Sequence, residues 1–133
     1  YGFIVTYHKI FLSLIQPGVT PDQVLAEAAG QMHDVIGSTD WSKPIYEQSA
    51  KRALEFKGHL SHSVGMAVHD VGSYKGKPFE PGVVFTLDPM MWVPEERRYI
   101  RVEDTLLITE TGFENLTREA PLELDEIAES NAY

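Results

Sequence analysis

Three short segments hold the residues whose types and spacing suit chemistry. The first is Gly58-His59-Leu60-Ser61-His62-Ser63-Val64-Gly65-Met66-Ala67-Val68-His69-Asp70, which contains three of the chain's five histidines. The second, Phe85-Thr86-Leu87-Asp88-Pro89, breaks an apolar run with a carboxylate. The third, Ile100-Arg101-Val102-Glu103-Asp104, sets two acids behind an arginine. Taken singly, each has an ordinary account: a hydrogen-bonded or exposed His, a turn-forming Asp, a surface ion pair of little energy. Their joint occurrence changes the odds. One His plus two carboxylates from separate strands is a hard, mixed nitrogen and oxygen donor set, suited to Mn, Fe, Co or Zn rather than to thiolate chemistry. A buried carboxylate is expensive unless it is paired or bound to a metal. A second His kept off the metal can transfer a proton or hold an oxyanion.

The elements that must position these groups follow from periodicity. Phe3, Ile4, Tyr7, Ile10, Phe11, Leu14 and Ile15 recur at helical spacing and predict an amphipathic helix that Pro17-Gly18 ends. Thr20, Pro21 and Gln23 read as the N-cap, first position and capping box of a second helix through Ile36. A third helix is predicted from Pro44 to about Leu54. Strands are predicted over Val64–His69, 83–87 and Tyr99–Thr109, with Gly72 to Pro81 a loop and a short helix over 123–129. On one straight strand, His62 and His69 would face opposite ways. With His62 in the loop before the strand, both line one cleft. In the third segment, strand alternation puts Arg101 and Glu103 on one face. Helices followed by strands joined by turns predict an α+β fold, its antiparallel sheet covered on one face.

Composition narrows the classes. The chain has 133 residues, 43% of them apolar, and no Cys, which fits one globular domain and excludes disulfides and thiolate metal sites. The net charge of −9 is concentrated at the end: from Glu103 onward nine acids face a single base, Arg118. With no basic stripe, nucleic acid is a poor partner. No apolar stretch suits a membrane span, and no secretory signal is recognisable, so the cytoplasm is the default expectation. The opening YGFIVTYHKIF lacks Met and reads as mid-helix, which predicts a piece of a longer protein.

The ordered series LSHSVGMAVHDVG, EPGVVFTLDP and IRVEDTLLITETGFENLT resembles the C-terminal half of the pita-bread metallopeptidases, the family of methionine aminopeptidase, prolidase and aminopeptidase P. HDVG and ITETGFENLT look most like aminopeptidase P and prolidase. LIQPGVTPDQV matches the helix–Pro-Gly–helix stretch upstream, so the resemblance spans about residues 1 to 128. It implies half of a pita-bread catalytic domain, with helices on one face of a curved antiparallel sheet. It also implies two divalent ions, Mn first with Co or Zn as substitutes, and hydrolysis of the bond before proline in a peptide with Pro second. By the same likeness His62, Asp88 and Glu103 match metal ligands, Glu103 bridging both ions. His69 matches the catalytic His that contacts substrate. Arg101 matches the arginine that orients the carboxylates, and His59 is a candidate to touch substrate or support the ligands.

The sequence departs from the family pattern in three places. Asp88 stands where the family has Glu, a shortfall in reach of about 1.5 Å. Gly58 occupies the place where related sequences often carry a His. The family's two other ligands are Asp residues upstream of the first helix, and the acids before Glu47 (Asp22, Glu27, Asp34, Asp40) lack their strand context. The expectation is therefore a chain with three of five ligands, inactive alone and prone to form a homodimer or self-associate. Two other readings stand beside it. One is a metal-free pita-bread module that binds peptides or proteins, since fold does not fix function. The other is a different lytic or hydrolytic reaction on the same scaffold.

Overall fold

The computed structural model describes residues 1–130. Helices α1 (Gly2–Leu14), α2 (Pro21–Ser38) and α3 (Pro44–Glu55) come first, followed by six strands and a closing helix. The strands are β1 (Leu60–Ser63), β2 (Val84–Leu87), β3 (Met90–Val93), β4 (Arg98–Arg101), β5 (Asp104–Ile108) and β6 (Phe113–Asn115), and the last helix is α4 (Leu124–Ser130). The α+β order expected from periodicity is the observed one.

The helices form where their residues dictate. Ile4, Tyr7 and Phe11 lie three and four apart in α1, and all three are fully buried, as one apolar stripe against a core requires. The α2 capping box is present: Gln23 N–H donates to Thr20 Oγ1 at 3.2 Å, and Thr20 N–H donates to Gln23 Oε1 at 2.9 Å. Two orphan donors of the first turn are satisfied together.

β1, β2, β5 and β6 make one antiparallel sheet in the order β1-β2-β5-β6, and β3 and β4 form a separate hairpin. Phe85 pairs with Leu106 and Leu87 with Asp104. Leu60, Phe85, Leu87, Leu106 and Ile108 join Ile4, Tyr7 and Phe11 of α1 in a single core.

Two strand expectations need correcting. Val64–His69 is not a strand; the strand is β1, which ends at Ser63. The Asp70 carboxylate takes over the backbone there, accepting from Ala67 N–H at 3.2 Å and Val71 N–H at 2.7 Å. Asp70 N–H in turn donates to Ser63 O at 3.1 Å. A local side-chain acceptor outcompetes the ladder. A Cβ at Gly65 would lie 2.3 Å from Asp70 Oδ2, so a side chain there would push the carboxylate off its backbone partners. Tyr99–Thr109 is two strands, interrupted at Val102 and Glu103. Pro89 separates β2 from β3 and has no N–H to give; its carbonyl accepts from Val102 N–H at 3.2 Å. The chain thereby leaves the β3–β4 hairpin and joins the main sheet within two residues.

β3 and β6 lie outside the strands that periodicity predicts. Met90-Met91-Trp92-Val93 hides its alternation because all four side chains are apolar. Met91 and Val93 are buried while Trp92 is exposed.

Candidate metal centre

The break between β2 and β3 places Asp88 at the end of an apolar strand, and the break between β4 and β5 places Glu103 beside it. Arg101 joins them. Its Nη2 lies 2.9 Å from Glu103 Oε2 and its Nη1 lies 3.7 Å from Asp88 Oδ2. Glu103 is off the ladder, so the shared face expected from strand alternation is reached through a kink instead.

Asp88 is 1% exposed. Burial pushes its carboxyl up to about 7, and the neighbouring Glu103 charge adds to the rise. Arg101, the Ser61 side chain and His62 pull the other way. Glu103 and Arg101 reach solvent, so the poorly solvated charge is that of Asp88. Asp88 Oδ1 is buried and has no hydrogen-bond partner. An orphaned oxygen beside a second carboxylate is the environment a hard cation would satisfy.

His62 and His69 come together despite the missing strand. His62 sits in β1, and the loop folded by Asp70 returns His69 so that the two rings stack with centroids 4.0 Å apart and planes at 29°. His62 Nδ1 is 3.2 Å from Ser63 O, which leaves Nε2 as the free ring nitrogen. Among the described residues, no three His, Asp or Glu side chains converge tightly enough to hold an ion. Asp88, Arg101 and Glu103 are gathered; His62 and His69 form a second pair on β1 and the loop after it.

His59, a candidate to touch substrate or support the ligands, is buried. It is 0% exposed, between Tyr7 and Phe56 with ring centroids at 5.1 Å from each. Its Nε2 donates to Ala53 O at 2.7 Å and its Nδ1 accepts from Met90 N–H at 3.3 Å. Burial pushes its pKa down to about 4, so the ring is neutral and keeps this tautomer. The His59 carbonyl accepts from Asp88 N–H at 2.8 Å. His59 thus fixes the backbone on both sides of Pro89, that of Asp88 included.

Two features escape sequence reasoning. Ser61 helps to hold down the Asp88 carboxyl, and its only signal is its place one residue before His62. The larger one is a polar network around Asp104. His8 Nε2 lies 2.7 Å from Asp104 Oδ2, Asn115 Nδ2 donates to the same oxygen at 2.7 Å, and Thr117 Oγ1 donates to Oδ1 at 2.5 Å. Burial raises the Asp104 pKa, but these bonds outweigh it and leave it lowered, so Asp104 is ionised. Arg101, Glu103, Asp104 and Asn115 line one cavity of about 300 Å³ that reaches Leu12 of α1.

Comparison with known proteins agrees with this architecture. The model of metallopeptidase family M24 matches residues 1–110. The Xaa-Pro aminopeptidase of Escherichia coli is 34% identical over 145 residues, covering 96% of this chain and 32% of that protein. The mitochondrial intermediate cleaving peptidase 55 of Arabidopsis thaliana is 39% identical over 138 residues, covering 96% of this chain and 27% of that protein. The solved structure of proline aminopeptidase P II from Yersinia pestis superposes with a TM-score of 0.70 at 29% identity, over 96% of this chain and 33% of that one. The chain spans about a third of the length of these relatives. Among the described residues, no helix is long and apolar enough to cross a membrane. The α+β arrangement is that of part of a pita-bread fold, and the chain belongs to metallopeptidase family M24.

Proposed function

We propose that this chain supplies part of the catalytic domain of an Xaa-Pro peptidase, with His62, Asp88 and Glu103 as donors to divalent metal. The observation that carries this reading is Asp88: buried, with one oxygen orphaned, beside a second carboxylate. When bound, two divalent ions, Mn by preference, would supply Lewis-acid polarisation of the scissile carbonyl and activation of water. The chain's own residues do the remainder. Arg101 holds Asp88 and Glu103 in orientation. The His59 carbonyl and ring fix the backbone that carries Asp88. His69, stacked on His62 and open to solvent, is free to hydrogen-bond the carbonyl of a peptide or to move a proton. Similarity to Xaa-Pro aminopeptidases supports proline in the second position of the substrate. The cytoplasm is the proposed setting, with the mitochondrion as the alternative suggested by one relative's name.

The test is metal content of the purified chain after Mn(II) loading and dialysis, with hydrolysis of an Xaa-Pro peptide alongside. Three donors predict less than one retained ion per chain, lowered further by Glu103→Gln, and no hydrolysis by the chain alone. Two tightly held ions would refute the three-donor site. No Mn(II) response at all would favour the second reading, a metal-free module for peptides or proteins. One observation favours that second reading. A carboxyl raised to about 7 takes up a proton near neutrality and can be accommodated without metal.

We also infer self-association. Met66, Val68, Val71 and Trp92 stand 62–106% exposed, and unsupported apolar surface of that kind is covered by a partner or by another copy. Sedimentation velocity should find a dimer or larger species; a monomer up to high concentration refutes it.

A further inference from the structure

We propose that His8 is a positioning residue that sets Glu103 through Asp104. The inference rests on the reading of Glu103 as a metal donor.

His8 is an expensive residue where it stands. It is 0% exposed on the face of α1 that buries Ile4, Val5, Tyr7 and Phe11. Its Nδ1 is buried without a partner, and a buried polar atom left unpaired is destabilising. An apolar ring at this position would pack with no such penalty. What His8 supplies instead is one short bond across 96 residues of sequence, from Nε2 to Asp104 Oδ2. At 2.7 Å from a carboxylate oxygen that Asn115 also contacts, Nε2 is the donor, and the bond is a short one.

Asp104 is well placed to transmit that restraint. It is the first residue of β5 and follows Glu103 directly. Glu103 lies in the two-residue gap between β4 and β5, outside either strand. The gap is held by Val102 N–H to Pro89 O on one side and by Asp104 on the other. Asn115 and Thr117 brace Asp104 from β6 and the turn after it, and Thr117 Oγ1 also accepts from Thr105 N–H at 3.1 Å. Those two braces belong to the sheet edge and move with it. His8 is the brace from the helical layer, so it fixes the Glu103 segment against the body of the domain. Groups that orient ligands in this way typically change metal affinity about 10- to 100-fold when removed.

The experiment compares wild type, His8→Phe and His8→Gln by three readouts: thermal midpoint, 15N relaxation and amide exchange at Glu103 and Asp104, and Mn(II) binding by electron paramagnetic resonance. His8→Phe should keep or raise the midpoint. It should nevertheless accelerate exchange at Asp104, broaden Glu103 and weaken Mn(II) binding by about 10-fold. His8→Gln, which retains a donor, should recover most of both. If His8→Phe does not fold, His8→Leu removes the donor from the same buried position with less bulk and carries the same expectation. A midpoint that falls while Glu103 order and Mn(II) affinity stay at wild-type values makes His8 merely structural and overturns the proposal. If wild type binds no Mn(II), the metal reading fails, and the relaxation data alone decide whether His8 positions Glu103.

Discussion

Asp88→Asn should stabilise the metal-free chain at pH 8 by roughly 2–4 kcal/mol, with almost no effect at pH 4. An Asp carboxyl titrates near 3.9 in an unfolded chain; here burial and Glu103 raise it to about 7. Between those values the folded state holds a proton that the unfolded state has released. Stability from this group is therefore complete below about pH 4, falls as pH rises, and is fully lost above about 7. Asn carries no charge to bury, so its stability curve should be flatter over that window. A tenfold change in proton affinity is worth about 1.4 kcal/mol, which sets the upper bound; losing the contact with Arg101 brings the gain below it. Urea unfolding at pH 4, 6 and 8 measures the difference directly. Parallel curves for the two proteins would show that Arg101 and Ser61 already neutralise the site. Millimolar Mn(II) should narrow the difference, because Asp88→Asn leaves Glu103 as the one carboxylate donor, and ligand binding to the folded state adds stability.

The same carboxylate shows what sequence can and cannot reveal. That Asp88 needs a partner is legible, because a charge inside an apolar strand is costly alone; that Arg101 joins it to Glu103 comes from the family likeness. That they meet through kinks is not legible. The kink at Val102 and Glu103 is held by Pro89, which is remote in sequence and whose carbonyl accepts from Val102 N–H. The helices are legible because their signals are local: a stripe at three- and four-residue spacing in α1, and a capping box closed within four residues in α2. Val64–His69 misleads because its small and β-branched residues favour a strand, whereas the decisive group is Asp70 at its far end. His59 reads as a neighbour of the site, and only the positions of Tyr7 and Phe56 reveal that it is buried. His8 gives no sign, since a histidine on a helix face is ordinary until Asp104 is found beneath it.

Phe85→Ala should lower the unfolding free energy by about 3–5 kcal/mol, a large fraction of the roughly 5–15 kcal/mol that holds a typical domain together. Phe85 is 0% exposed at the second position of β2. Its ring stacks on Phe79 at 4.8 Å with planes at 15°, and lies 5.0 Å from Tyr74. Truncation removes the wall against which both rings rest, and rigid strands on either side cannot close the gap. The loss should not stay in the core. Phe79 is bonded by its backbone to the turn between α1 and α2, its carbonyl accepting from Gly18 N–H at 2.9 Å and its N–H donating to Val19 O at 2.8 Å. Tyr74 and Phe79 thus tie the Gly72 to Pro81 loop to both layers, and this loop continues from the segment that stacks His69 on His62. Amide exchange should rise first from Gly72 to Lys77, before the helices open. Phe85→Leu, which fills most of the volume, should recover more than half of the stability and most of the protection. A loss below about 1 kcal/mol for Phe85→Ala would mean that Tyr74 and Phe79 collapse into the space. The histidine pair would then be held by Asp70 alone. With the full loss, the aromatic stack under β2 is what keeps the His69 side of the site in register with the carboxylate side, since β2 itself leads directly into Asp88.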